Sequence, residues 1–300
     1  MSFNPEILSS KWIKVAQPFP HVLHVQLSRE PVNAFCTEYW QEYGRLFDRI
    51  PLEAPDIRAV VVSSTLPRFF TAGLDLNDAM KIAKPANENT DNARKAFGTI
   101  DHIKEFQHAI HAVERAPFPV IAAVHGIAIG LGIDMSSCCD IRYAAEDTRF
   151  SVKEVDIGLA ADIGTLAYLP KVVGNMSLVR EYAYTAAQFS AHDAEKMGYV
   201  SRVVKGSRDE VVHAALELAK SIAAKSPVAV TGTKRLITHA RDHTYMRQSP
   251  EKLVSVAENL DYTAIWNAAA LQTKDMADAL AATKSKSKPK FAPLRPSSKL

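Results

Sequence analysis

Apolar and polar positions along the first two thirds of the chain fall into runs of two kinds. Val22–Leu27 (VLHVQL), Ala59–Val62, Pro119–Val124 (PVIAAV) and Ile141–Ala144 are short, mostly apolar stretches with many β-branched residues, the pattern of buried strands. Between them apolar positions recur at helical spacing. Glu38–Ile50 places Tyr39, Tyr43, Leu46 and Ile50 on one face, and Asn92–Arg115 does the same with Phe97, Ile100, Ile103, Phe106 and Ile110. Strands and helices in alternation predict an α/β fold with parallel pairing. From about residue 208 the pattern is almost wholly helical, with candidates Val211–Ala224, Val228–Ala240 and Leu253–Ala282, and Pro227 placed at a helix start. The last candidate carries Leu253, Val256, Leu260, Ala264 and Leu271 as a stripe, with Ile265 and Trp266 beside it. Such a face predicts packing on the core domain or on another subunit. Residues 283–300 form a Lys/Ser/Pro-rich stretch with the composition of a disordered tail.

Composition narrows the class. At 300 residues, 47% hydrophobic and 23% charged, the chain has ordinary globular values. No uninterrupted apolar run reaches the roughly 18 residues of a membrane-spanning helix, and Glu6 near the start argues against a signal peptide. Three cysteines, of which Cys138 and Cys139 are adjacent, make a poor disulfide framework and point to a reducing compartment. The net charge of +3 is too small to imply nucleic acid as a partner. It is also unevenly placed. Residues 279–300 hold six basic residues and no acidic one, which leaves 30 basic against 33 acidic residues in the rest.

Three segments could carry chemistry. Phe69-Phe70-Thr71-Ala72-Gly73-Leu74-Asp75-Leu76 follows a strand, and its small residues let a backbone N–H face a ligand; a simple turn is the plainer account. Gly126-Ile127-Ala128-Ile129-Gly130-Leu131-Gly132-Ile133-Asp134 opens a helix after a strand, where free N–H groups and the helix dipole suit an anionic oxygen. Its G-x-x-x-G-x-G spacing is not that of a dinucleotide site. In the third, Val152 to Gly164, Glu154 and Asp162 stand among apolar residues, where a carboxyl holds its proton closer to neutrality. The alternatives are a helix N-cap for Asp162 and an ion pair of Glu154 with Arg149 or Lys153. His125 reads as a packed or turn residue. His239 and His243 lack a third ligand for a metal. Ser136 and Ser137 lack a nucleophile context, and the two adjacent cysteines read as packed small residues.

In this order and at this spacing the three segments resemble the enoyl-CoA hydratase/isomerase (crotonase) family, over roughly residues 20 to 280. The resemblance implies a ββα spiral core (1–207), a C-terminal helical oligomerisation region (208–282) and a tail (283–300). It implies an acyl-CoA thioester as substrate, with no metal and no cofactor beyond the substrate's coenzyme A. It implies an oxyanion hole from the N–H groups of Ala72 and Leu131, with Gly132 as the neighbouring possibility, and a substrate surface from Ala72, Gly73, Leu74, Asp75, Leu76, Leu131 and Gly132. Hydratases of the family carry two glutamates, at the positions of Asp134 and Glu154. Asp162, eight residues after Glu154, instead resembles the Δ3,5-Δ2,4-dienoyl-CoA isomerase branch. On that resemblance Glu154 serves C2, Asp162 serves C6, and Asp134 supports them. An enoyl-CoA hydratase and a non-catalytic acyl-CoA-binding protein are the alternatives. Arg29, Arg68 and Lys234 are candidates for the coenzyme A phosphates. The resemblance also implies a homotrimer or homohexamer built through the C-terminal helices. The last residues, Ser298-Lys299-Leu300, read as a peroxisomal address for the import receptor.

Overall fold

A computed structural model describes residues 3–78, 91–242 and 256–294. One sheet has six strands: β1 (Ile13–Phe19), β2 (Val22–Leu27), β3 (Ala59–Ser64), β5 (Val120–Val124), β7 (Ile141–Ala145) and β10 (Arg202–Val204), in the order β1-β2-β3-β5-β7-β10. β1 pairs antiparallel with β2, and every other neighbour is parallel. The second sheet, β4 (Phe69–Thr71), β6 (Ile127–Ile129), β8 (Arg149–Ser151) and β9 (Phe189–Ser190), is parallel except for the last pair. The chain spirals between the two. β3, β5 and β7 each give a strand to the first sheet, and the next segment, β4, β6 or β8, gives one to the second. Gly126 makes one of these corners: its φ is +57°, and a Cβ there would stand 2.2 Å from the Arg68 carbonyl oxygen.

The central strands read as continuous apolar runs because both faces are covered. Along β3 and β5 the side chains alternate. Val60, Val62, Val120 and Ala122 enter the main core, while Ala59, Val61, Ile121 and Ala123 enter a second core on the opposite face. The second core is closed by the helix Arg208–Ala223, whose Val211, Ala215, Ala219 and Ala223 recur every fourth residue. The first helix of the expected C-terminal region is thus a layer of the core.

On the main-core side lie α1 (Thr37–Glu53) and α2 (Asn92–Ile110), followed by α3 (Ala112–Arg115), α4 (Leu131–Ser137), α5 (Thr165–Val172), α6 (Met176–Thr185) and α7 (Ala191–Lys196). The Arg208–Ala223 helix is α8, followed by α9 (Pro227–Asp242), α10 (Val256–Ala270) and α11 (Asp275–Lys284). α1 and α2 cross closely at Gly44, where a Cβ would meet Ala109 at 2.7 Å, and Trp40 stacks on Phe106 at 4.7 Å. Only this C-terminal half of α2 is core. Phe97 and Ile100, expected on the buried face, are 69% and 45% exposed, because the N-terminal half of α2 runs past the end of the α1 contact. The expected helix 92–115 also breaks at His111.

α10 docks on α9 through Trp266, whose Nε1 would stand 2.3 Å from a Cβ at Gly232. Leu260, Ile265 and Leu271 are 63%, 71% and 56% exposed, so the described residues leave the stripe uncovered. Leu253 and the side chain of Val256 lie outside the described residues, as does His243. Part of the expected disordered tail is placed: the carbonyl of Phe291 accepts a hydrogen bond from Arg58 Nη2 at 2.9 Å. Ser298, Lys299 and Leu300 lie outside the described residues.

Candidate active site

The end of β4 faces the start of α4. The Phe35 N–H donates to the Gly73 carbonyl at 2.8 Å, and the Asp75 N–H donates to the Phe35 carbonyl at 2.9 Å. These bonds align residues 73–75 beside Phe35 and turn the Leu74 N–H away from it. The Ala72 N–H donates to the Val32 carbonyl at 2.9 Å, so it is not free to meet a ligand. This corrects the expected donor pair. In an unbroken extended segment the N–H groups of residues 72 and 74 would face the same side. Gly73, with φ +89°, turns the chain between them. Neither Leu74 N–H nor Leu131 N–H donates to any acceptor among the described residues. Leu131 is the first residue of α4, where an N–H has no partner inside the helix. A Cβ on Gly73 would lie 3.5 Å from the Leu131 nitrogen and 3.1 Å from the Ile129 oxygen, so the two backbone segments meet around that glycine. Gly132 packs on the end of β4, where a Cβ would touch Thr71 at 3.0 Å.

One carboxyl group, that of Glu154, stands at this junction, and Asp134 and Asp162 act on it electrostatically. Glu154 begins a short 3-10 turn after β8, and its Oε1 would lie 3.5 Å from a Cβ on Gly130, next to Gly73. Its Oε2 is buried and has no hydrogen-bond partner among the described residues. Lys153 pairs with Asp156, and Arg149 donates to the Thr148 carbonyl, so neither serves Glu154. The Glu154 pKa is pushed up to about 7, by burial first and then by the Asp134 charge, against the pull of nearby backbone N–H groups; Asp162 adds to the rise. Asp134 is 1% exposed, and its Oδ1 accepts from the Thr165 N–H at 2.6 Å and the Thr165 hydroxyl at 2.9 Å. Burial raises its pKa to about 6, with the Thr165 and Gly164 donors opposing and Asp162 adding to the rise. Asp162 is exposed, yet burial of part of its carboxyl holds its pKa above the ordinary value, against its own backbone N–H and His102. It is not the helix cap: α5 starts after Gly164, and Asp134 accepts from its first N–H.

Other candidates are committed elsewhere. Lys234 is buried, with its Nζ 2.9 Å from Asp140 Oδ2 and donating to the Val113 and Phe118 carbonyls, so it is not free for a phosphate. Arg29 pairs with Asp75 at 2.8 Å and donates to the Ala34 carbonyl. Arg68 is exposed. Arg29, Asp75 and Asn77 help line a cleft of about 580 Å³ beside the 73–76 segment. His125 is buried and bonded to the Leu66 carbonyl. Ser136 and Ser137 bond Tyr199, and Cys138 and Cys139 are buried free thiols. Leu74 was expected in the substrate surface, but its free N–H was not, because N–H direction depends on the turn at Gly73; the glycine was the available signal.

A family model described as enoyl-CoA hydratase/isomerase matches residues 20–263. The chain belongs to the enoyl-CoA hydratase/isomerase family. Among its relatives, the mitochondrial Δ3,5-Δ2,4-dienoyl-CoA isomerase of Homo sapiens is 46% identical over 273 residues, covering 90% of this chain and 78% of that protein. The peroxisomal Δ3,5-Δ2,4-dienoyl-CoA isomerase of Arabidopsis thaliana is 38% identical, covering 91% of this chain and 93% of that protein. The crystal structure of enoyl-CoA hydratase from Bacillus anthracis superposes with a TM-score of 0.79 at 26% identity, over 94% of this chain and 99% of that one. As a member of this family, the chain shares its α/β fold of parallel sheet and covering helices.

Proposed function

We propose that this protein is a Δ3,5-Δ2,4-dienoyl-CoA isomerase that moves a proton from C2 to C6 of a 3,5-dienoyl thioester. The third carboxyl carries the reading: Asp162 acts on the same electrostatic cluster as Asp134 and Glu154, where water addition calls for two. The named isomerases among the relatives support it.

The thioester oxygen accepts from the Leu74 and Leu131 N–H groups, and charge develops there as C2 loses its proton. One such donor is worth about 10²–10³ in rate. Glu154 takes the C2 proton. Its pKa of about 7 makes it a stronger base than an ordinary carboxylate, yet still ionised in part at neutral pH. The electron pair delocalises to C6, where protonated Asp162 delivers a proton. The double bonds at C3 and C5 become double bonds at C2 and C4, and nothing is added or lost. Glu154 then holds a proton and Asp162 is ionised; the exposure of Asp162 lets solvent restore the starting state. Asp134, held by Thr165, carries no proton in this scheme. Its negative charge keeps Glu154 basic.

The reaction needs no metal or separate cofactor. The coenzyme A portion of the substrate enters by the cleft beside Asp75, with Arg68 as the remaining exposed candidate for a phosphate. The uncovered face of α10 is the surface through which subunits join as trimers or hexamers. Ser298-Lys299-Leu300 direct the protein to the peroxisome, the location named for the Arabidopsis thaliana relative, where the Homo sapiens relative is named mitochondrial. A fluorescent fusion with and without these three residues tests the address.

Turnover of 3,5-dienoyl-CoA, followed by the rise of the conjugated 2,4-dienoyl chromophore, tests the activity. Turnover of 2-trans-enoyl-CoA, followed as loss of absorbance on hydration, is the comparison. Faster hydration than isomerisation would replace the reading with the hydratase one.

A further inference from the structure

α2 reaches the site through two side chains that take no part in the proton transfer itself. Gln107 and His111 stand one helical turn apart, at the end of α2. Gln107 Nε2 donates to the Asp162 carbonyl at 2.6 Å. His111 Nε2 lies 3.0 Å from the Ile163 carbonyl. A carbonyl oxygen only accepts, so this ring nitrogen carries the hydrogen and donates. Burial holds the His111 pKa below its ordinary value, which keeps the ring neutral at neutral pH. Two successive peptide groups, 162–163 and 163–164, are thus held by their oxygens from α2.

The second of these peptides has its N–H, that of Gly164, toward Asp134, where it helps stabilise the ionised carboxyl beside the Thr165 donors. Residue 164 being glycine is what lets the ring approach. A Cβ there would stand 3.2 Å from His111 Nε2 and 3.6 Å from Asp134 Oδ1. His111, one peptide plane and Asp134 therefore lie in a line. Tyr168 of α5 fixes the ring from another side, edge to face at 5.2 Å.

We propose that His111 is a positioning residue for the isomerisation, orienting the 163–164 peptide toward Asp134 and, with Gln107, fixing the backbone that carries Asp162. The proposal rests on the carboxyl cluster being the proton-transfer centre. The charged and titratable groups around His111 are Glu114, Arg115, Tyr168 and, from α9, Arg241. Those facing Asp134 are Glu154, Asp162 and the Cys138 thiol. With the His111 donor gone, the peptide is free to relax, the Gly164 N–H leaves Asp134, and the ionised carboxyl loses one of its donors.

The test compares His111→Phe, His111→Gln and Gln107→Leu in the full-length protein with two readouts. The first is an NMR titration of the Asp134 carboxyl with ¹³C-labelled aspartate, assigned by Asp134→Asn, which needs no turnover. The second is kcat and KM for 3,5-dienoyl-CoA. His111→Phe should move the Asp134 midpoint up from about 6 by about one unit. It should lower kcat about tenfold while KM changes by less than about twofold. His111→Gln, whose amide also donates, should restore most of both. Gln107→Leu should lower kcat and leave the Asp134 midpoint in place. An unmoved midpoint in His111→Phe, or a His111→Gln no better than His111→Phe, overturns the proposal; His111→Ala takes the place of the Phe variant if that one does not fold. A shifted midpoint in a protein that does not isomerise the dienoyl substrate would keep the positioning role and reject the isomerase reading.

Discussion

In the proposed reaction, Glu154 is the residue on which the chemistry turns. Its buried oxygen, unpartnered among the described residues, and its pKa of about 7 follow from one cause: a carboxyl buried beside another negative charge. Activity should therefore rise with pH through an acid limb near 7, the range in which Glu154 loses its proton. Asp134→Asn keeps an acceptor for Thr165 but removes the charge. That limb should move to lower pH by about half to one unit, measured as the pH dependence of kcat/KM for isomerisation. The folded pKa values of Asp134 and Glu154 both lie above the ordinary 3.8 and 4.5. Their contribution to stability is thus present at low pH and is lost as pH rises through about 6 and 7. Gly73 makes a second prediction at this scale. Gly73→Ala puts a methyl 3.1 Å from the Ile129 oxygen and 3.5 Å from the Leu131 nitrogen at a φ of +89°. It should lose about 10²-fold in kcat/KM and cost about 1 kcal/mol or more in stability by denaturant unfolding.

At the level of elements, the sequence was legible where burial is two-sided and periodic. β2, β3 and β5 follow directly from their apolar patterns, and α8 was expected as a helix from Val211 to Ala224. β4, β6, β8 and β9 are only two or three residues long and were not visible as strands, because such runs carry too few side chains to show a period. The Gly-rich segment was read as opening a helix; it first makes β6, and only then turns at Gly130 into α4. That Asp134, Glu154 and Asp162 influence one another electrostatically agrees with the grouping expected from family spacing. The proposed donor at Leu74 and the proposed α2 clamp were not legible in the sequence, because both depend on which way a backbone group points. The cap of α5 shows the same limit: the acidic residue near its start in sequence is Asp162, but the acceptor comes from Asp134, 31 residues earlier. Thr165→Val removes one of its donors and leaves Asp134 less satisfied. It should cost about 1–2 kcal/mol in denaturant unfolding at pH 7 and leave the fold intact by circular dichroism.

Across the whole molecule, two features stand apart from catalysis. The basic excess belongs to residues 279–300, whereas the rest of the chain carries 30 basic against 33 acidic residues, so the body offers no broad basic field to a polyanion. The exposed stripe Leu260, Ile265 and Leu271 on and after α10 is apolar surface that the described residues leave uncovered. If subunits join through this face as proposed, Leu260→Asp with Ile265→Asp should lower the mass seen in analytical ultracentrifugation. An unchanged mass would place the subunit contact elsewhere. The central claim is that Glu154 and Asp162 divide the proton transfer between C2 and C6. Isomerisation of 3,5-dienoyl-CoA by Asp162→Asn in D₂O, analysed by NMR, tests it most directly. The variant should lose about 10²–10⁴-fold in formation of the 2,4-dienoyl product, while Glu154 still exchanges deuterium into C2 of the substrate. Product formation near the wild-type rate, with deuterium delivered to C6, would contradict it.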